Sequence, residues 1–270
     1  MKIVSFNVNS LRQRLPQLEK VIEHHDPEFI GLQETKVQDH DFPLADIEAL
    51  GYHVIYMGQK THYGVALMSK QPCIEPVYGF PDDDDEAQKR FIGGKFEINS
   101  KPFYVFNGYF PQGEGRDHPV KFPAKQKFYE DLQQFIDQFD SQTDAVVIMG
   151  DYNIAPDDND IGIGPDNAKR WLKTGKASFL PEEREWFVKL TDRGFRDGFR
   201  LCHPDESNLF SWFDYRSRGF EAEPKRGLRI DHLMVSGPLC DSVKTAGIDY
   251  EVRAMTKPSD HAPAWIEINS

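Results

Sequence analysis

Cysteine is scarce in this chain. Cys73, Cys202 and Cys240 are the only three in 270 residues; they lie far apart, are odd in number and form no CxxC pair. That excludes a disulfide framework and any zinc site built on paired cysteines. It fits a reducing compartment, where a free thiol serves as a small apolar side chain. Long apolar runs are missing as well. No stretch reaches 18 apolar residues, and MKIVSFNVNS turns polar too early for a secretory signal. The expectation is a soluble, cytoplasmic protein with no membrane partner. Low-complexity tracts, short repeats and composition shifts are also absent, so residues 1–270 are expected to form one domain, large enough to bury a core without staples.

Several catalytic plans lack their motifs. There is no Walker A loop, no GxGxxG after a strand, no GxSxG elbow and no HExxH. Nor is there a surplus of positive charge: 44 acidic residues face 32 basic ones, a net charge of -12. Taken whole, that balance argues against a nucleic-acid partner, because neutralising phosphates requires Lys and Arg. Net charge does not locate charge, however. Basic residues gather in KFPAKQK (Lys121 to Lys127), in KRWLKTGK (Lys169 to Lys176) and in YRSRGF with Arg216 and Arg218. The acidic excess sits partly in PDDDDE, which reads as a solvated loop. One basic face on an acidic protein is compatible with this segregation.

What is present is a succession of short strands with helices between them. KIVSFNV alternates and is β-branched, while residues 11–25 carry helical periodicity. EFIGLQE is a second strand, and HVIYM with GVALMS, then FIGGKFEI with PFYVFNGYF, read as strand pairs. Helices are expected over 122–139 and 182–193. AVVIMGD is a central strand; FSWFDY, LRIDHLMVS, GIDYEV and PAWIEI supply late ones. AVVIMG and EFIGL are apolar on both faces, which points to strands covered on both sides. Two packed sheets covered by helices, an α/β architecture, fit this order better than a regular βαβ wheel.

Polar residues recur where these strands end. VIMGDYNIAP places Asp151 and Asn153 after a buried run; Asn7 follows VSF, Glu34 follows IGLQ, Asp231 sits in LRID, and Asp260 and His261 follow KPS. Singly, each is most simply a turn residue. Together they carry one ligand chemistry, the carboxylate and carboxamide oxygens that a hard cation such as Mg²⁺ takes. A histidine beside a phosphate donates a hydrogen bond or offsets developing negative charge. Metal-assisted hydrolysis of a phosphoester is the chemistry these residue types support best.

The ordered segments KIVSFNVNSLR, IGLQETK, GQKTHYGVAL, NGYFPQGEGRDHPVKFPAK, IMGDYNIAP, DIGIG, RWLKTGKASFLPEEREW, FSWFDYRSRGF, GLRIDHL and KPSDHAP span the chain. With them it resembles the exonuclease III family of bacterial apurinic/apyrimidinic endonucleases, related to deoxyribonuclease I. The resemblance implies a four-layer α/β sandwich, two mostly antiparallel sheets flanked by helices, with ligands at one end of the sheets. It implies a Mg²⁺-dependent DNA repair nuclease, with Mn²⁺ as a substitute ion, acting as a monomer on duplex DNA bearing abasic sites, nicks or blocked 3′ ends. A phosphodiesterase or phosphatase of soluble or lipid phosphates, or a non-catalytic DNA-binding relative, are the alternatives within that fold. Carried over by residue, Glu34 is the main metal ligand, with Asn7, Asp151, Asn153, Asp260 and His261 around the metal position. Asp151 orients or deprotonates water, Asn153 holds the nucleophile or a phosphate oxygen, and Tyr109 is the active-site tyrosine. His261, oriented by Asp231, contacts the scissile phosphate. Arg90, Lys121, Arg170 and Arg216 are candidate phosphate contacts, and Trp212 and Phe213 match a pocket for a sugar without its base; ordinary core packing is the other reading of both. Departures from the family pattern, FEAEPKRG and His232, are expected to lie beside the site.

Overall fold

The computed structural model describes residues 1–269. Its first half runs β1 (Lys2–Asn7), α1 (Leu15–His25), β2 (Phe29–Gln33), α2 (Leu44–Ala49), β3 (His53–Met57), β4 (Val65–Ser69), β5 (Glu75–Tyr78), β6 (Phe91–Ile98), β7 (Lys101–Tyr109) and α3 (Lys121–Ile136). Its second half adds β8 (Val146–Asp151), α4 (Pro165–Thr174), α5 (Pro181–Asp192), β9 (Arg196–Asp197), α6 (Gly198–Cys202), β10 (Asp231–Val235), α7 (Gly237–Cys240), β11 (Val243–Ile248), α8 (Tyr250–Arg253) and β12 (Ala264–Ile268). The strands form two six-stranded sheets, β11-β12-β1-β2-β4-β3 and β5-β6-β7-β8-β10-β9. Each sheet has a parallel pair at its centre, β1 with β2 and β7 with β8, and antiparallel neighbours beyond.

Side chains alternate across a strand, and this parity sorts the core into layers. In β1, Ile3 joins Phe29, Val105 and Val147 between the sheets, whereas Val4 and Phe6 face Leu18 and Val21 of α1 and Val252 of α8. In β8, Val147 and Met149 point between the sheets; Val146 and Ile148 meet Leu132 of α3 and Phe187 and Leu190 of α5. Helices, sheet, sheet and helices therefore stack as four layers, the α/β sandwich expected from the sequence. A polar bridge crosses the middle. Asn107 of β7 donates to the carbonyls of Leu32 and Ala66 at 2.9 Å each and accepts from Gln33 at 2.5 Å. Gly31 makes room for it: a Cβ there would lie 2.7 Å from Asn107 Oδ1. Asn107, with its amide oxygen and nitrogen both engaged, pins one sheet to the other in a single register.

Three expected elements differ. Residues 11–25 split into a 3-10 turn (Leu11–Gln13) and α1, which begins with Pro in its first turn, where the missing N–H costs nothing. FSWFDY is not a strand; Trp212 makes only isolated bridges to Leu228 and His261. GIDYEV is divided because Asp249 accepts from Val252 N at 3.0 Å and caps α8, ending β11 at Ile248. No helix among the described residues is long and apolar enough to cross a membrane.

Candidate active site

Strand parity delivers the polar residues to one place. Asn7 continues the inward set of Ile3, Asp151 that of Val147 and Met149, Tyr109 that of Phe103 and Val105, and Asp231 that of Leu233 and Val235. Tyr109, Asp151 and Asp231 are register partners across β7, β8 and β10, so they form one row at the end of the second sheet. Glu34 follows β2 in a left-handed conformation, φ 51°, as does Asn153 after β8, φ 52°. Non-glycine residues held there signal backbone that the surroundings over-determine, a common feature of functional sites.

The side chains converge. Asn7 Nδ2 donates at 3.0 Å to both Glu34 Oε1 and Asp151 Oδ2. His261 Nδ1 lies 2.8 Å from Asp231 Oδ2, and its Nε2 lies 3.7 Å from Asp151 Oδ2. Asp151 Oδ1 accepts from Asn153 N at 3.0 Å, and Asn153 Nδ2 donates to Phe110 O at 2.9 Å. Ser211 Oγ accepts from the N–H groups of Ile230 and Asp231, fixing the start of β10.

Burial sets the electrostatics. Asp151 is pushed up to about 7, first by desolvation, against the pull of His261 and with Asp231 and Glu34 adding to the rise. For His261 burial favours the neutral ring, but Asp231 and Asp151 outweigh it and raise the imidazole to about 10. Burial likewise opposes ionisation of Glu34, yet Lys36 at 2.9 Å and the Asn7 amide hold its carboxyl below the ordinary range. Tyr109 is held protonated, well above its usual value, by burial and the nearby Glu34.

Glu34, Asp151 and His261 each offer a ligand atom, all within 4.8 Å of one another. Asp231 Oδ1 is buried beside them with no hydrogen-bond partner. The two carboxylates fit a divalent cation, and the protonated His261 ring, held by Asp231, stands beside them as a hydrogen-bond donor. Asn7 departs from its expected part as an oxygen ligand. Its Oδ1 accepts from Asn9 N at 3.0 Å, which turns the NH₂ group toward the carboxylates. Asp260 stands outside the cluster, accepting from Asn9 Nδ2 at 2.9 Å and Trp212 Nε1 at 3.1 Å.

Above the cluster opens a cavity of about 230 Å³. Glu34, Tyr109, Asp151, Asn153, Asp260 and His261 line it on one side; Trp171, Trp212, Leu228 and Ile230 supply an apolar wall, and Gln112, Lys176 and Ser178 add polar groups. Lys176 Nζ lies 3.6 Å over the Trp171 ring. Arg170, with Arg226, lines a smaller cavity that shares Trp171 and Trp212 with the first.

Other expected site residues are elsewhere. Phe213 is fully buried against Phe220 and Tyr250, which is the core-packing alternative. Lys121 is exposed, pairs with Glu114 and does not line the cavity. Arg90 is buried, its guanidinium 4.6 Å from the Tyr109 ring centre and 4.2 Å from that of Tyr63, and it donates to Tyr109 O at 3.0 Å. It braces the tyrosine instead of presenting a free charge. Arg216 is exposed. His232 does not lie beside the site; strand parity turns it to the helical layer, where it meets Arg229, Phe187 and the carbonyl of Ile154.

Sequence reasoning missed Lys36, Trp171, Gln112 and Lys176 in the site, and Lys125 beneath it. The fully buried Lys125 Nζ donates to Asn153 O at 2.8 Å, Gln112 O at 3.3 Å and Glu183 Oε1 at 2.6 Å, while Glu183 Oε2 accepts from Ser178 N. One ion pair therefore ties three segments of the cavity wall together. Its signal was the i, i+3 apolar pattern of α3, which puts Lys125 on the same face as Phe122 and Phe128.

The model of the Endonuclease/Exonuclease/phosphatase family matches residues 4–261. The chain is 54% identical over 267 residues to exodeoxyribonuclease III of Haemophilus influenzae, covering 99% of each. Among solved structures it is similar to a 3′ phosphatase from Neisseria bound to a product DNA hairpin, with a TM-score of 0.90, 36% identity and full coverage of both chains. An AP endonuclease from Archaeoglobus fulgidus gives a TM-score of 0.89 at 31% identity, again over the whole of both chains.

Proposed function

The chain belongs to the Endonuclease/Exonuclease/phosphatase family, and we propose that its site hydrolyses phosphodiesters of damaged duplex DNA with the help of Mg²⁺, or Mn²⁺ in its place. The enzyme is a DNA repair nuclease. It cleaves 5′ to abasic sites, shortens DNA from 3′ ends and clears blocked 3′ termini. The observation that carries this reading is the convergence of Glu34, Asp151 and His261 beside an apolar-walled cavity.

Glu34 and Asp151 would hold the cation, which when bound supplies positive charge to offset the negative charge building on the phosphoryl oxygens. Asp151, fixed by Asn7 and Asn153, takes the proton of the attacking water as its oxygen bonds to phosphorus; the phosphorus–oxygen bond on the opposite side breaks, and the leaving oxygen takes a proton from solvent. Asn153, its backbone locked to Asp151 Oδ1, aligns that water or a phosphate oxygen. His261, kept cationic by Asp231, donates to a phosphate oxygen as charge develops there. The protonated Tyr109, braced by Arg90, donates a further hydrogen bond.

Trp212 and Leu228 form the wall against which a sugar lacking its base would rest; a missing base lowers the cost of turning the nucleotide out of the stack. Arg170, at the mouth, and the exposed Arg216 hold phosphates and so set position without reading sequence. All of these groups come from one chain, which supports a monomeric enzyme in a single domain. Three free, half-buried cysteines support a cytoplasmic location. The test is one gel: abasic, nicked and intact duplexes, each with Mg²⁺ and with chelator. Cleavage of the abasic duplex in the chelator lanes, or of a soluble phosphoester in preference to DNA, would overturn the reading.

A further inference from the structure

We propose that His24, His25 and Asp249 form a second cation site, for a late first-row divalent ion such as Zn²⁺, in the helical layer that covers the first sheet. Its three ligand atoms lie within 4.8 Å of one another. His24 Nδ1 is 3.0 Å and His25 Nε2 2.9 Å from the same atom, Asp249 Oδ2. Metal–nitrogen and metal–oxygen bonds of about 2.0–2.2 Å put neighbouring ligands roughly 3.0–3.4 Å apart, so these separations are already close to the edges of a coordination polyhedron.

The ligands are oriented before any ion arrives. Asp249 Oδ1 is occupied by Val252 N at 3.0 Å, which leaves Oδ2 facing the two imidazoles. The His25 ring is held against Trp265 with centroids 5.2 Å apart. The outer nitrogen of His24, Nε2, lies 3.5 Å from Glu251 Oε2. A carboxylate behind a ligating imidazole fixes its tautomer and strengthens it as a donor. The histidines also end α1, where the helix dipole favours a positive charge. Two imidazoles and one carboxylate select Zn²⁺, Co²⁺, Ni²⁺ or Cu²⁺ over Mg²⁺, which prefers oxygen; the more oxygen-rich cluster at Glu34 and Asp151 has the opposite bias. A bound ion would clasp α1 to the turn between β11 and α8, whose Asp249 N–H also donates to Pro263 O at 2.8 Å, two residues beyond His261. Its role is to brace the fold, apart from the chemistry.

The test uses the whole chain carrying Glu34→Gln and Asp151→Asn, so that the catalytic cluster does not compete for the ion. Calorimetric titration with ZnCl₂ is expected to show one bound equivalent and a higher melting temperature. His24→Ala, at a partly exposed position, should abolish that equivalent, and Glu251→Gln, which keeps every ligand, should weaken it about tenfold. Electron paramagnetic resonance of the Cu²⁺-loaded protein should show coupling to two nitrogens that His24→Ala reduces. Absence of a Zn²⁺ equivalent would overturn the proposal, as would binding that both substitutions leave unchanged; the three residues would then be a hydrogen-bonded clamp alone.

Discussion

Asp151 and Asp231 are register partners on adjacent antiparallel strands, and the His261 ring spans them, 2.8 Å from Asp231 and 3.7 Å from Asp151. Two buried carboxylates so close would repel, and the imidazolium between them relieves that repulsion. The arrangement divides the labour. Asp231 keeps His261 charged, and Asp151 retains enough affinity for a proton to act as a base.

Asp151→Asn keeps the shape and removes the base. Cleavage of abasic duplex is expected to fall by about 10²–10⁴-fold, with binding, read by fluorescence anisotropy, within a few-fold of the parent. Single-turnover rates near the parent value would remove Asp151 from the proton transfer.

Metal affinity should depend on pH in a definite direction. Asp151 carries its raised value of about 7 in the free protein, so below neutrality the cation competes with a proton and above it does not. The Mg²⁺ concentration for half-maximal cleavage is expected to rise as pH falls from 8 to 6. Glu34→Gln should raise it at every pH. A titration curve indifferent to pH and to this substitution would place the cation on other residues.

Trp212 and Phe213 are neighbours with different tasks. Trp212→Ala opens the cavity wall and is expected to reduce cleavage at abasic sites more than removal of paired 3′ nucleotides, with little change in melting. Phe213→Ala empties a fully buried position and should cost about 3–5 kcal/mol of stability. Urea denaturation and paired activity assays separate the two effects.

Acid stability should rest partly on Asp197. Burial opposes its charge, but Arg229 at 2.7 Å and His232 outweigh that and hold its carboxyl well below the usual range. A depressed value in the folded state means that the unfolded chain binds the proton more readily near pH 4. The stabilisation is therefore complete above that range and is lost as pH falls below it. Asp197→Asn is expected to lower the melting temperature at pH 7, with the gap narrowing toward pH 3. A gap that stays constant would assign the effect to packing.

That VIMGD is buried on both faces was legible from the sequence alone, as was the carboxylate at the end of IGLQE; which of its faces turns between the sheets was not. Lys125 and Arg90 were not. Both belong to segments that read as basic or charged, and both are buried because partners distant in sequence, Glu183 for one and the rings of Tyr63 and Tyr109 for the other, satisfy them. The orientation of the Asn7 amide was equally hidden, since it follows from the backbone N–H of Asn9.

Local pattern by itself determined which strands are buried and which polar residues end them, because those properties depend on neighbours within a few positions. Only the tertiary structure decided which of those ends meet. Sheet order and the packing of one sheet on the other bring residues more than a hundred positions apart within 3 Å, and no periodicity in the chain encodes that. The same packing raised Asp151, charged His261 and turned Phe213 away from the cavity, because desolvation and the nearness of other charges exist only once the layers close.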